Sequence, residues 1–162
     1  MLADPAVLAP SDVAAPGTFE AIYRALDASS HNVIGPVRPR LLVIPLRADD
    51  GSVEGGLWGC TACQWLHVEM LFVPEAMRGQ GVGSALVAAA ETEAKSRGCL
   101  GVHVDAFSFQ AAPFYRKLGY SVFGVLEDFP PGHCRIYFRK RFDLAHGDAA
   151  PPTIKPGLPR PG

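Results

Sequence analysis

The sequence predicts an α/β fold in which a central mixed β-sheet is flanked by helices, and three observations carry this prediction. Leu66–Val73 has apolar residues at both odd and even positions, which is typical of a central strand covered on both faces. A glycine-rich turn follows and leads directly into a long helix from about Gly81 to Arg97. Leu100–Ala106 then has the β-branched residues of a further strand. This β-α-β core has hairpins on either side, and the hairpins make the sheet mixed.

A helix and a hairpin are predicted before the central strand. Thr18–Ser29 has apolar residues at helical spacing, and its first residue is a plausible N-cap. Arg40–Leu46 and Val53–Cys63 read as two strands joined by an Asp-Gly turn. Gly55 and Gly56 indicate a bulge in the second of these strands.

After the core, a short helix and a second hairpin are predicted. Pro113 fits the first turn of a helix that runs to Leu118, because its missing N–H costs little there. Tyr120–Leu126 and Arg135–Arg141 read as strands, and the Pro-Pro-Gly sequence between them requires a turn. We therefore expect one domain over residues 17–143, between a flexible N-terminal arm (1–16) and a disordered proline-rich tail (144–162).

Charge and hydropathy indicate a soluble protein of the cytoplasm. The formal net charge is -1, so no single-sign field attracts nucleic acid or a membrane surface. No apolar run approaches the roughly 18 residues of a membrane-spanning helix, and the N-terminus does not have the pattern of a signal peptide. We expect neither nucleic acid nor a membrane as a partner.

Cysteine spacing does not predict a metal or disulfide site. Cys60 and Cys63 form a C-x-x-C pair, but residues three apart in a strand point to opposite faces. No second pair or histidine motif completes a zinc site, so we expect no metal. Free thiols in a reducing compartment are the expectation.

The glycine-rich turn predicts a site for a diphosphate. The first N–H groups of a helix lack internal partners, the helix dipole is positive there, and glycines let a ligand approach the backbone. Arg78 adds a planar cation beside them. A dinucleotide fingerprint requires a glycine where Ser84 or Leu86 stands, and a P-loop requires a Gly-Lys-Ser/Thr triplet, which is absent. A purely structural glycine turn remains as the alternative.

Two segments resemble the GCN5-related N-acetyltransferases. Residues 73–86, VPEAMRGQGVGSAL, resemble the family's acetyl-CoA motif, with Arg78, Gly81 and Gly83 at its three fixed positions. Residues 111–120, AAPFYRKLGY, resemble a second motif about 30 residues later, although the family's asparagine position falls on Ser108. The resemblance covers about residues 38–142 and implies the fold of that family, with acetyl-CoA as co-substrate.

The resemblance also implies which residues contact acetyl-CoA. Backbone groups at the end of the central strand would bind the pantetheine arm, the glycine-rich turn would bind the pyrophosphate, and a side chain after the next strand and an aromatic one would complete the site. These residues are Leu71, Phe72, Val73, Arg78, Gly79, Gln80, Gly81, Val82, Gly83, Ser84, Ser108 and Phe114.

The implied reaction is direct attack by an amine on the thioester carbonyl. Releasing a free alkyl amine at neutral pH costs about 4–5 kcal/mol, so a general base helps. Glu69 is the candidate base, because alternation would place it on one face with His67, Leu71 and Val73. Tyr115 matches the family's general-acid position and would stabilise the leaving thiolate, chiefly as a hydrogen-bond donor.

The acceptor is a primary amine of a small molecule or peptide, and the sequence does not identify it further. Asp128 and His133 lie in the final hairpin turn, which tends to border the acceptor side in this family, and are candidate substrate contacts. A non-catalytic acyl-CoA-binding sensor is the alternative function. Homodimers are common in the family, so a homodimer is a further possibility.

Overall fold

The computed structural model describes residues 10–143. These residues divide into two compact units, with the boundary between Arg38 and Pro39. Residues 1–9 of the expected arm and the whole expected tail, 144–162, lie outside the described residues. The single domain expected over residues 17–143 stays a prediction.

The first unit contains helix α1, Thr18–Ile34. It is five residues longer than predicted, and it ends at Gly35, whose N–H bonds back to His31. Gly17 precedes the helix in a left-handed conformation (φ 82°), so the expected N-cap, Thr18, is instead the first helical residue. No residue of α1 is buried, although Phe19 and Leu26 are apolar.

The second unit is a six-stranded mixed sheet with two helices, as the sequence predicts. In chain order its elements are β1 (Arg40–Arg47), β2 (Val53–Ala62), β3 (Trp65–Phe72), α2 (Val82–Ser96), β4 (Gly101–Phe107), α3 (Ala112–Lys117), β5 (Ser121–Glu127) and β6 (Cys134–Arg141). The spatial order of the strands is β1-β2-β3-β4-β6-β5. The β3–β4 pair is parallel, and the other four pairs are antiparallel.

A tight turn joins β2 to β3, between the predicted strands Val53–Cys63 and Leu66–Val73, where the sequence predicted no turn. Cys63 and Gln64 have φ values of 48° and 61°, the left-handed pair that a two-residue hairpin turn requires. Neither residue is the glycine or asparagine that usually signals such a turn, which explains the omission. All four cysteines are free thiols, as expected.

The core lies between one face of the sheet and α2. Leu66, Val68 and Phe138 from the strands are almost fully buried, and Leu86 and Ala90 of α2 are buried with them. The expectation that β3 is covered on both faces is wrong. Met70 and Phe72 are more than half exposed, so the apolar residues of β3 extend past the core to the other face.

The paired glycines of β2 reflect close contact between strands as well as a bulge. The β1–β2 register shifts opposite residues 53–55, next to the predicted position. A Cβ on Gly56 would lie 2.3 Å from the carbonyl oxygen of Ile44, and Gly56 has a φ of 134°. A side chain there would force β1 and β2 apart.

A buried ion pair fastens α2 to the sheet, and its loss is expected to destabilise the protein. The carboxylate of Glu91 accepts hydrogen bonds from Lys140 Nζ at 2.9 and 3.0 Å and from the Tyr120 hydroxyl at 2.9 Å. Glu91→Ala leaves a largely buried ammonium without its partner, so we expect the free energy of unfolding in urea to fall by about 3 kcal/mol. The control, Glu93→Ala, removes an exposed pair with Arg97 on the same helix and should cost much less, because solvent screens exposed ion pairs. Equal losses for the two variants would contradict this assignment.

Candidate active site

The parallel strands β3 and β4 separate partway along their length and form a wedge. They pair at only four positions, and the last pair is Val68 with Val104. Both strands continue, to Phe72 and Phe107, without pairing to each other. Over the same residues β3 stays hydrogen-bonded to β2. The edge of β3 that faces the wedge therefore offers its backbone groups to an extended ligand for about 13 Å.

A bulge in β3 lies where the wedge begins. Met70 pairs with Trp58 and Val68 pairs with Gly59, so Glu69 is an extra residue with no partner on β2. The alternation of side chains therefore shifts at this point, and His67 and Leu71 point to opposite faces. The expectation that Glu69 shares one face with His67, Leu71 and Val73 is thus wrong. Glu69 is exposed at the bulge.

The glycine-rich turn lies at the open end of the wedge and leads into α2. Gly79 and Gly81 have left-handed φ values of 74° and 82°, which glycine adopts without strain. Gly81 is the N-cap of α2 and provides no side chain, and Ala85 donates to its carbonyl at 3.0 Å. The N–H groups of residues 82–84 therefore have no partner within the helix and point out of its positive end. This geometry suits a diphosphate.

The side chains of Arg78 and Gln80 hold the turn in place. Arg78 Nε donates to the Val73 carbonyl at 3.0 Å, which ties the turn to the end of β3. Gln80 Nε2 donates to the Ala76 carbonyl at 2.8 Å. Each bond uses one of the donors on its side chain. The remaining donors of Arg78 are the ones with which it would contact a phosphate.

Helix α3 places two aromatic residues beside this turn. A Cβ on Gly83 would lie 3.4 Å from the Phe114 ring, so α2 and α3 meet closely at the glycine. Tyr115 is 5% exposed and packs against the rings of Tyr120 and Phe138. Burial, reinforced by the charge of Asp105, raises the pKa of the Tyr115 phenol to about 12. The phenol is therefore protonated at any physiological pH and can donate a hydrogen bond.

The remaining predicted site residues lie around the end of β4 and the β5–β6 turn. Ser108 exchanges two hydrogen bonds with the backbone of Cys134, at 2.8 and 3.2 Å, so it links β4 to β6. Its contact with a cofactor stays a prediction. His133 lies edge-on to Phe109, with ring centroids 4.9 Å apart. Asp128 is exposed in the same turn with a φ of 52°.

A polar cluster at the closed end of the wedge was not found by the sequence analysis. Asp105 on β4 bonds through one oxygen to Arg135 Nε of β6, and its other oxygen lies 4.0 Å from His67 Nε2. The His67 ring stacks on His103 with centroids 4.4 Å apart and planes 9° apart. A signal for this cluster exists in the sequence, because the tripeptides His67-Val-Glu69 and His103-Val-Asp105 repeat the order His-Val-acid. The parallel register pairs the histidines and the valines of the two tripeptides, and the strands part before the acidic residues.

Burial makes His103 sensitive to acid. Desolvation lowers the pKa of His103 below its ordinary value of 6.5, and the adjacent His67 ring lowers it further, while Asp105 opposes the shift. Arg139 of β6 is the cross-strand neighbour of His103. The unfolded chain therefore binds a proton at this residue more readily than the folded protein does.

This difference predicts a loss of stability in acid. Because the folded pKa is depressed, the contribution of His103 is complete above pH 6.5 and is lost as the pH falls through the lower folded value. We expect the melting temperature to drop between about pH 7.5 and about pH 5. His103→Gln should reduce that drop, and His31→Gln, on the exposed face of α1, should leave it unchanged. An identical drop in wild type and His103→Gln would contradict the assignment.

Within residues 10–143 no helix is long and apolar enough to cross a membrane, and no three metal-ligating side chains come together.

Comparisons with known proteins agree on one family. Residues 43–122 match the family model described as the acetyltransferase (GNAT) domain. The chain is 43% identical over 132 residues to acetyltransferase Atu2258 of Agrobacterium fabrum, and this alignment covers 82% of this chain and 96% of that protein. It is also 45% identical over 83 residues to the blasticidin-S acetyltransferase of Streptomyces morookaense, and this alignment covers 51% of this chain and 61% of that protein.

A solved structure extends the similarity to the fold. The crystal structure of an acetyltransferase from Agrobacterium tumefaciens superposes with a TM-score of 0.78 at 42% identity, over 83% of this chain and 98% of that chain. The fold and activity implied by the two sequence motifs are thereby confirmed, and nothing in these comparisons supports the alternative of a non-catalytic sensor. The chain belongs to the GNAT acetyltransferases, the enzymes that transfer an acetyl group from acetyl-CoA to an amine.

Proposed function

We propose that this chain acetylates a small-molecule amine, with acetyl-CoA lying in the β3–β4 wedge. The observation that carries the proposal is the position of the open wedge. Its open end lies at the N-terminus of α2, whose first N–H groups are unpaired. Its closed end lies at a cluster of titratable side chains. An extended ligand with a diphosphate at one end and a thioester at the other matches this arrangement.

The cofactor contacts follow from that placement. The wedge-facing backbone of Leu71–Val73 binds the pantetheine amides in the manner of an added strand. The turn from Arg78 to Ser84 binds the pyrophosphate, mainly through N–H groups of Val82 to Ser84. Phe114 lies against Gly83, where it limits the space beside the diphosphate. Ser108 is proposed as a further contact through the donor capacity of its hydroxyl, which otherwise accepts from Cys134.

The reacting groups lie on the two walls of the site. Tyr115 is proposed to donate a hydrogen bond to the leaving sulfur from α3. Glu69, the general base predicted from sequence, lies at the bulge, where its exposed carboxylate attracts the protonated amine. Asp128 and His133 are proposed acceptor contacts at the β5–β6 turn, beside the exposed rings of Phe109 and Phe129.

The acceptor is proposed to be a small molecule that carries an ammonium group and a flat apolar portion. Several carboxylates, including Glu69, Asp105 and Asp128, border the wedge or the nearby turn. The ring of Phe107 contacts the rings of Phe109 and Phe129 in the same region. The similarity to the blasticidin-S acetyltransferase makes blasticidin-S the first acceptor to test.

The test is a panel of amines incubated with acetyl-CoA while release of the CoA thiol is followed. The panel contains blasticidin-S, simple diamines, aromatic amines and a short peptide with a free N-terminus. We expect blasticidin-S or an aromatic amine to react at least about 10-fold faster than the peptide, because one well-placed charge or ring contact changes binding by about 1.4 kcal/mol or more. Equal rates with every amine, or none above the uncatalysed rate, would contradict the proposal.

The protein's location and assembly are also proposals. Near-neutral charge supports a cytoplasmic protein that binds neither nucleic acid nor membranes. A homodimer is supported by the exposed apolar side chains Leu41, Val43 and Trp58 on the sheet face opposite α2. Sedimentation of the full chain at several concentrations tests the homodimer.

A further inference from the structure

We propose that His67, positioned by Asp105, is the group that removes the proton from the acceptor amine. This inference rests on the proposed function and assigns its proton acceptor to a residue that the sequence motifs do not identify. The argument depends on where His67 lies, how its ring is held and what lies opposite it.

His67 lies at the closed end of the wedge. It pairs with His103 on β4, and the next pair, Val68 with Val104, is the last before the strands part. An extended ligand whose diphosphate binds at the α2 turn runs along β3 toward this end, so its reactive terminus arrives beside His67. The His67 side chain is 41% exposed and lies on the sheet face opposite α2, from which an acceptor can approach.

The ring of His67 is held in place by stacking almost parallel on the His103 ring. Its Nε2 faces one oxygen of Asp105 at 4.0 Å, and the other oxygen of that carboxylate bonds to Arg135. Arg135 in turn lies over the ring of Phe107 at 5.4 Å. Glu69 has no such support within residues 10–143, since no side-chain bond holds its carboxylate there.

The separation between His67 and Asp105 favours one tautomer. At 4.0 Å the two atoms are not yet hydrogen-bonded, but catalytic hydrogen bonds commonly shorten when substrates bind. A carboxylate beside Nε2 favours the proton at that nitrogen and leaves Nδ1 to accept one. Imidazole also has the ordinary titration range best suited to this task near neutral pH, whereas a carboxylate is a much weaker base.

The reaction balances without any further reagent. A proton leaves the acceptor ammonium for Nδ1 of His67, and the amine nitrogen then forms a bond to the thioester carbonyl carbon. The C–S bond breaks, the sulfur leaves with its electron pair beside the Tyr115 hydroxyl, and the acylated nitrogen gives its second proton to that sulfur or to water. The amide product departs, CoA leaves as thiol or thiolate, and the imidazolium returns its proton to water. Asp105 stabilises the imidazolium and is a positioning residue.

The charged and titratable groups around His67 come from three neighbouring strands. Cys60 of β2 is its cross-strand partner. His103 and Asp105 come from β4, and Arg135 and Arg139 come from β6. The test must therefore follow the dependence of activity on pH, because a change at one pH alone does not separate a lost base from a shifted neighbour.

The experiment compares His67→Gln with Glu69→Gln in pH profiles of kcat/KM, with the acceptor found to react fastest. We expect His67→Gln to lose about 100-fold or more near neutral pH and Glu69→Gln less than about 10-fold. The loss in His67→Gln should shrink as the pH approaches the pKa of the amine, since the free amine then exists without a base. Acetyl-CoA affinity, measured by calorimetry, should be unchanged in both variants, and His31→Gln should match wild type.

Asp105→Asn provides a second readout, which separates kcat from cofactor binding. Removing the carboxylate should lower kcat near neutral pH while acetyl-CoA affinity by calorimetry stays unchanged, and Asp105→Glu should recover part of the loss. A His67→Gln rate within about threefold of wild type, a larger loss for Glu69→Gln, or a wild-type kcat in Asp105→Asn would overturn the inference. Failure of the proposed function appears differently, as absence of thiol release with wild type for every amine.

Discussion

Gly81→Asp is expected to weaken acetyl-CoA binding by roughly 30- to 150-fold while the protein stays folded. The substitution places a carboxylate at the first turn of α2, where the unpaired N–H groups are proposed to hold the pyrophosphate. Two unit charges 4 Å apart interact by about 4 kcal/mol at an effective dielectric of 20, and screening leaves about 2–3 kcal/mol of repulsion.

The fold should tolerate this change. A Cβ at Gly81 meets no atom within 4 Å, and aspartate and asparagine adopt left-handed backbone more readily than other side chains. A negative charge near a helix N-terminus also stabilises the helix itself. The left-handed φ of 82° still strains any side chain, so the melting temperature without ligand should fall by only a few degrees and the protein should stay folded.

Gly81→Asn is the matched control, because it has the same shape as Gly81→Asp without the charge. Calorimetry with acetyl-CoA should place its affinity within about threefold of wild type. The gap between the Asp and Asn variants should narrow in high salt, as expected for a charge effect near the surface. If both variants bind equally well, the pyrophosphate does not lie at this turn.

Tyr115→Phe is expected to lower kcat by about 100-fold with little change in KM for acetyl-CoA. The phenol has a pKa of about 12 in the folded protein, and a CoA thiol has one near that of cysteine, about 8.5. Full proton transfer to the thiolate is then unfavourable by about 5 kcal/mol. The hydroxyl therefore acts by donating a hydrogen bond to the developing negative charge, and phenylalanine removes only that donor.

Two measurements separate this role from a structural one. The Tyr115 hydroxyl makes no side-chain hydrogen bond within residues 10–143, so Tyr115→Phe should keep the wild-type melting temperature at neutral pH. Because the folded pKa is raised by burial, wild type should lose stability as the pH rises above 10, and the variant should lose less. Wild-type turnover by Tyr115→Phe would exclude the donor role.

Most of the fold was predictable from sequence because its signals are local. The glycines of the turn after β3, Pro113 in the first turn of α3 and the alternation in the strands each act within a few residues. The mixed sheet followed from the order of these elements. What local signals did not give was the Cys63–Gln64 turn, whose residues rarely adopt the left-handed backbone they have here.

The site was predictable where one segment forms it and unpredictable where several strands meet. The turn that is proposed to bind the pyrophosphate lies within residues 78–84 and resembles a known motif. The cluster of His67, Asp105 and Arg135 joins three strands, and its members meet only through the β3–β4 and β4–β6 registers. The face assigned to Glu69 was wrong for a related reason. A bulge depends on the partner strand, and strict alternation does not reveal it.

The single extra residue in β3 makes the length of that strand as important as its composition. Every side chain after position 69 points the way it does because the chain has been displaced there by one step. Regular alternation through position 69, without the bulge, would instead turn Leu71 out of the core and draw Phe72 inward. An evolving enzyme of this kind can therefore exchange side chains along the strand far more freely than it can move the bulge.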